Sequence, residues 1–127
     1  MESTQTTFSQ TLIPLTICGQ PSGNYDGSSL DWVGNMAKGA NYYRSSSLST
    51  VFINVEGFAG LITIQGTHDQ NPDYTSTWTD LASYGDIEDI TTYTDYHPIP
   101  IVGNYTWLQA RIQNFVSGEI KAVTVLY

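Results

Sequence analysis

His68 and His97 are the two imidazoles of the chain, and each has carboxylates close by: Asp69 and Asp73 near the first, Asp95 near the second. Histidine beside a carboxylate is raw material for an acid–base pair or a metal site. The spacing fits neither, because no HExxH pattern is present and one cysteine cannot make a thiolate set. Both histidines therefore read as loop residues with local hydrogen bonds. Asp86, Glu88 and Asp89 put three carboxylates in one short stretch, which is oxygen-ligand chemistry for Ca²⁺. They do not match an EF-hand loop, so a solvated acidic turn is expected. Asp69 and Asp73 flank Asn71 and Pro72, where Asx turn chemistry accounts for them. Gly-x-Ser-x-Gly, a Walker A loop and a dinucleotide glycine motif are all missing. Two acids across a cleft would suit glycoside hydrolysis, but a chain this short has little room for a deep cleft. The expectation is a non-enzyme with no cofactor and no metal.

The aromatic residues carry more information. Trp32, Tyr42, Tyr43, Trp78, Tyr84, Tyr93, Tyr96, Tyr105 and Trp107 are many for 127 residues. Exposed on a sheet or loop, such rings stack on sugars or anchor a protein interface; on strands, Trp78 and Trp107 read as core. The candidate contact residues are Tyr25, Tyr42, Tyr43, Tyr93 and Tyr96.

These side chains must be carried by strands. In residues 105–115, Leu108, Ala110 and Ile112 alternate with Gln109, Arg111 and Gln113, the period-two pattern of a half-buried strand. Ser117 and Gly118 then read as a tight reversal. Residues 120–127 are apolar on both faces and need cover on both, so the C-terminus is expected to form a hairpin. Further strands are expected at residues 12–18, with Pro14 marking an edge or bulge, at 50–56, 61–67, 75–81 and 91–97. Gly57 to Gly60 read as the turn between two of them, and Pro98 and Pro100 as limits to pairing. Residues 28–44 read as a strand, a bend and a second strand carrying Tyr42 and Tyr43. Turn residues every 8 to 12 or so positions and no amphipathic helix point to an all-β fold, a single-domain, jelly-roll-like β-sandwich over residues 11–127. A small closed barrel is the runner-up. Residues 1–10 are polar and read as an N-terminal arm.

Bulk composition narrows the partners. Charged residues are 13%, so the surface is built from Ser, Thr, Asn, Gln, Gly and Tyr. Four basic against twelve acidic residues give a net charge of −8, which disfavours nucleic acid and anionic membrane. Cys18 sits in an apolar run and reads as a small buried hydrophobe. The N-terminus shows no secretory pattern, and no apolar run approaches the roughly 20 residues of a membrane span. The expected setting is a cytoplasm.

Two stretches resemble known families. One runs from Gly60 to Asp73 and continues through Trp78 to Leu81. The other combines Trp107, Leu108, Ala110, Arg111, Ile112, Asn114 and Phe115 with Gly118, Ile120, Val123 and Val125. Together, across residues 50–127, they resemble small jelly-roll virion structural proteins of tailed bacteriophages, and more loosely discoidin-like galactose-binding modules. The phage likeness implies a capsid decoration, tail or baseplate component that assembles in the host cytoplasm with copies of itself and other virion proteins. The looser likeness implies, as the alternative, a carbohydrate-binding module used for host-surface adhesion. No calcium site or sugar-stacking aromatic carries over from the discoidin-like pattern.

Overall fold

Two strands of 20 residues carry the fold. Laid straight, each would span about 65–70 Å, whereas a globule of this length has a radius of gyration of only about 14 Å. Both strands must bend, and the bend organises the molecule. The computed structural model describes residues 9–39, 48–73, 75–88, 91–103 and 105–126. Its strands are β1 (Ser9–Ile13), β2 (Thr16–Ile17), β3 (Trp32–Val33), β4 (Ala37–Lys38), β5 (Leu48–Thr67), β6 (Thr79–Gly85), β7 (Tyr93–Val102) and β8 (Trp107–Leu126).

β5 and β8 run antiparallel at the centre, from Thr50 opposite Leu126 to Thr67 opposite Trp107. Beyond β5, β7 pairs with its first half and β6 with its second. Beyond β8, β1 and β2 follow its C-terminal half, and β3 and β4 its N-terminal half. All eight strands belong to one antiparallel sheet. The sheet folds over at residues 56–61 and 113–119, where the β5–β8 register shifts repeatedly. At this corner Gly57, Asn114 and Gly118 have φ of 60, 54 and 83°. The two backbones nearly touch there: a Cβ on Gly118 would lie 2.1 Å from the Gly57 carbonyl oxygen.

Folding brings two greasy faces together. Val51, Ile53, Val55, Ile120, Val123 and Val125 come from one half, and Ile62, Ile64, Leu108, Ala110 and Ile112 from the other, all buried in one core. Each Val, Ile or Leu among them contributes about 1.5–3 kcal/mol by leaving water. Phe58 and Phe115 meet inside the corner with ring centroids 5.7 Å apart. One side of the fold is closed by β1, whose Leu12 carbonyl accepts a 2.7 Å bond from the Asn35 amide. The result is the expected all-β, sandwich-like class.

Several local expectations are corrected. There is no C-terminal hairpin: residues 116–119 lie inside β8, and Ser117 still pairs with Ala59. Likewise Gly57 and Gly60 bend β5 instead of ending it. Glycines with positive φ allow a corner as readily as a reversal, and only the partner strand decides which. The doubly apolar stretch has its own answer. Val55 pairs with Ile120 and Asn54 with Ala122, so Lys121 is the extra residue of a bulge. Ile120 and Val123 thereby face the same core across what would otherwise be a parity mismatch. The first predicted strand is interrupted at Pro14 and Leu15, and its first half begins at Ser9, inside the predicted arm. Residues 1–8 lie outside the described residues.

β7 also runs through both prolines. Pro98 lies opposite Phe52 and Pro100 opposite Thr50. Antiparallel pairs alternate between facing and outward-turned N–H groups. A ladder that survives both prolines puts their missing donors on the outward side. Among the described strands β7 pairs only with β5, so its outer edge lacks two donors and is a poor template for another strand.

Candidate functional site

The bend gives the second half of the sheet an outer face of its own. Along β8, Trp107, Gln109, Arg111 and Gln113 alternate with the buried Leu108, Ala110 and Ile112. Their partners on β5 are Thr67, Gln65, Thr63 and Leu61, and β6 sets Asp80 beside Gln65 and Ser83 beside Thr63. This face is polar almost throughout. A ladder of side chains crosses it: Gln109 Nε2 donates to Gln65 Oε1 at 2.8 Å, and Gln65 Nε2 donates to Asp80 Oδ1 at 2.8 Å. Gln65 and Gln109 are only 7 and 9% exposed, so the ladder is held rigidly by strands and by packing.

Next to the ladder lies a shallow groove of about 360 Å³, lined by Leu61, Thr63, Asp80, Leu81, Ala82, Ser83 and Gln113. Among the described residues, no hydrogen bond engages the side chains of Thr63, Ser83, Gln113 or Arg111. At the far end of the face, the Trp107 indole N–H donates to the Gln70 carbonyl at 2.9 Å. Thr106 Oγ1 bonds the carbonyls of Thr67 and Asp69 at 2.9 and 2.6 Å, which pins the start of that loop.

The corner offers a second surface. Phe115 N donates to the Leu30 carbonyl, Asn114 Nδ2 to the Ile87 carbonyl, and Cys18 N to the Gly118 carbonyl. Residues 17–18, 30 and 87 thus all border residues 114–118. Ile17, Leu30, Ile87 and Val116, on those segments, are exposed apolar side chains. Asn114 accommodates its positive φ while its amide N donates to Asp31 Oδ1 at 2.9 Å.

The five tyrosines do not form one site. Tyr25 is corrected: it is 3% exposed and belongs to the core. Its ring lies 5.2 Å from both Trp32 and Phe115, and its hydroxyl accepts a bond from the Gly19 amide. A ring of that size among apolar neighbours leaves water even from a loop. Within the same cluster the Trp32 indole N–H is buried without a partner among the described residues. Tyr42 and Tyr43 lie outside the described residues. Tyr96 is 63% exposed and leans on Phe52, with centroids 5.4 Å apart. Tyr93 is half-buried, edge-on to Tyr84 at 5.4 Å.

Tyr84, Tyr93, Asp95 and His97 gather where β6 approaches β7. Tyr84 Oη donates to Asp95 Oδ2 at 3.3 Å, and the Tyr84 and His97 rings are 5.0 Å apart. Burial, then the Asp95 charge and hydrogen bond, push the Tyr84 hydroxyl up to about 12. It remains protonated at neutral pH and fastens one strand to the other as a donor. His97 Nδ1 is 3.6 Å from Asp95 Oδ2, both half-exposed. His68 stacks on Tyr105 at 5.1 Å.

Three further acids are spent on turns. Asp86 accepts from the Glu88 amide. Asp73 accepts from the amide and hydroxyl of Thr75, which lower its pKa. Asp26 binds the Ser29 and Ser28 side chains and amides, which hold it at about 2. Among the described residues no three His, Cys, Asp or Glu side chains converge as metal ligands. No described helix is long and apolar enough to cross a membrane. Cys18 is half-buried against the core, with Sγ 4.0 Å from the Phe115 carbonyl.

The outer-face residues Thr63, Gln65, Asp80 and Ser83 were not legible in sequence. Gln109, Arg111 and Gln113 were visible as one polar row, but nothing local indicates which strands border it. No protein-family model, no curated protein and no solved structure matches this chain.

Proposed function

We propose that this chain is a non-enzymatic structural subunit that acts by protein–protein contact, with copies of itself and with other proteins of an assembly. One observation carries the reading: the exposed apolar side chains Ile17, Leu30, Ile87 and Val116 on segments that border the corner. Apolar side chains clustered on a surface are the ordinary mark of an interface, and a surface with few charges lowers the cost of desolvating what surrounds them. The motif likeness to tailed-phage virion proteins supports a capsid decoration, tail or baseplate setting for that contact. The blunted outer edge of β7 favours face-to-face docking over strand addition on that side.

The test is the mass of the native protein by sedimentation and native mass spectrometry. A defined oligomer, or tight binding to virion shell or tail subunits, is expected. The double variant Leu30→Asp/Val116→Asp should disperse it while the circular dichroism spectrum stays unchanged. A folded monomer with no affinity for any virion protein refutes the proposal.

A further inference from the structure

We infer that the outer face of the β6–β5–β8 layer is a binding site for a neutral oligosaccharide, centred on the groove between Thr63, Ser83, Asp80 and Gln113. The inference is independent of the assembly proposal, since this groove is built from different residues than the corner.

Three observations carry it. First, the groove has unspent hydrogen-bonding capacity of mixed kind. Thr63 and Ser83 offer hydroxyls, Gln113 an amide, and the neighbouring Arg111 a guanidinium, and no hydrogen bond among the described residues uses them. Asp80 has only Oδ1 engaged, by Gln65, which leaves Oδ2 to accept. Sugar hydroxyls both donate and accept, and a mixture of carboxylate, amide and hydroxyl groups answers both roles. Second, the site is preorganised. The buried Gln109 and Gln65 hold the exposed Asp80 carboxylate in place across three strands, so little side-chain freedom is lost on binding. Leu61 supplies apolar floor for the C–H faces of a pyranose.

Third, the electrostatics and dimensions select the ligand. A chain of net charge −8 repels anionic polymers at long range, which among glycans favours a neutral one. The groove of about 360 Å³ is open along its length and takes a sugar within a longer chain.

The experiment uses the full chain and a panel of neutral gluco-, manno-, galacto- and xylo-configured tetra- to hexasaccharides, screened by NMR and titrated by calorimetry. At least one should bind and move the amide signals of residues 61–65, 80–83 and 109–113. Ser83→Ala/Gln113→Leu should weaken that binding tenfold or more with an unchanged melting temperature, and Asp80→Asn should weaken it as well. Tyr96→Ala should bind as wild type. A sulfated oligosaccharide should not bind. The inference is overturned if no neutral oligosaccharide in the panel binds, if the double variant binds undiminished, or if the shifts map away from this face. An oligomeric protein that fails these tests refutes the glycan site and leaves the assembly reading standing; a monomer that passes them does the reverse.

Discussion

The corner between β5 and β8 can be probed with one methyl group. Gly118 has φ of +83°, and a Cβ there would lie 2.1 Å from the Gly57 carbonyl oxygen and 2.6 Å from the Phe58 nitrogen. Gly118→Ala therefore meets two penalties. Left-handed backbone costs an alanine about 1–2 kcal/mol. The contact is with backbone, so both strands must separate, and overpacking of this kind costs typically 1–3 kcal/mol. Against this stands a gain of roughly 0.4–1 kcal/mol from stiffening the unfolded chain. The net loss is about 1–4.5 kcal/mol, out of the 5–15 kcal/mol that usually holds a domain together. Gly19 is the control: its φ is +91°, yet nothing lies within 4 Å of its hypothetical Cβ. Gly19→Ala carries the same backbone term and the same unfolded-state gain, without the clash. The difference between the two variants isolates the close approach at about 1–3 kcal/mol, or roughly 4–12 °C in melting temperature for a chain of this size. Thermal and denaturant unfolding followed by circular dichroism measure it, with equal denaturant slopes checking that the unfolded states match. If Gly118→Ala is no more damaging than Gly19→Ala, the two backbones do not touch at the corner and the account of the fold is wrong.

Two further outcomes follow from the β6–β7 side. Tyr84 is raised from 10.0 to about 12 by burial and by Asp95, so its neutral form is favoured in the folded state. Its contribution to stability is complete below pH 10 and is lost as pH rises toward 12. An ultraviolet titration of the folded protein should show a late tyrosinate step that Tyr84→Phe abolishes; a Tyr84→Phe protein with the same late step contradicts the assignment. Pro98→Thr/Pro100→Thr restores two outward N–H donors on β7 while keeping its pairing with β5. Light scattering should then show new self-association on standing, and an unchanged, non-associating double variant would mean that the prolines do not guard that edge.

Period-two alternation announced the strands because it is a local consequence of pleating. Leu108, Ala110 and Ile112 are buried as their spacing requires, and Val51, Ile53 and Val55 likewise. The low charge announced a polar, hydroxyl- and amide-rich surface, and the outer face of β5, β6 and β8 is one. Tyr25 was misplaced because a loop position says nothing about which rings a fold gathers: Trp32 and Phe115, its neighbours, are 7 and 90 residues away in sequence.

What the amino-acid order alone determined is therefore the class of the molecule, since alternation, turn residues and the lack of helical periodicity are all short-range properties. What the tertiary structure alone decided is the meaning of the glycines and the location of the site. Gly57 and Gly118 could end strands or bend them, and they bend because β5 and β8 stay paired across the corner. That pairing joins residues 40 or more positions apart and sets Gln109 beside Gln65, while the β5–β6 pairing adds Asp80 to the ladder.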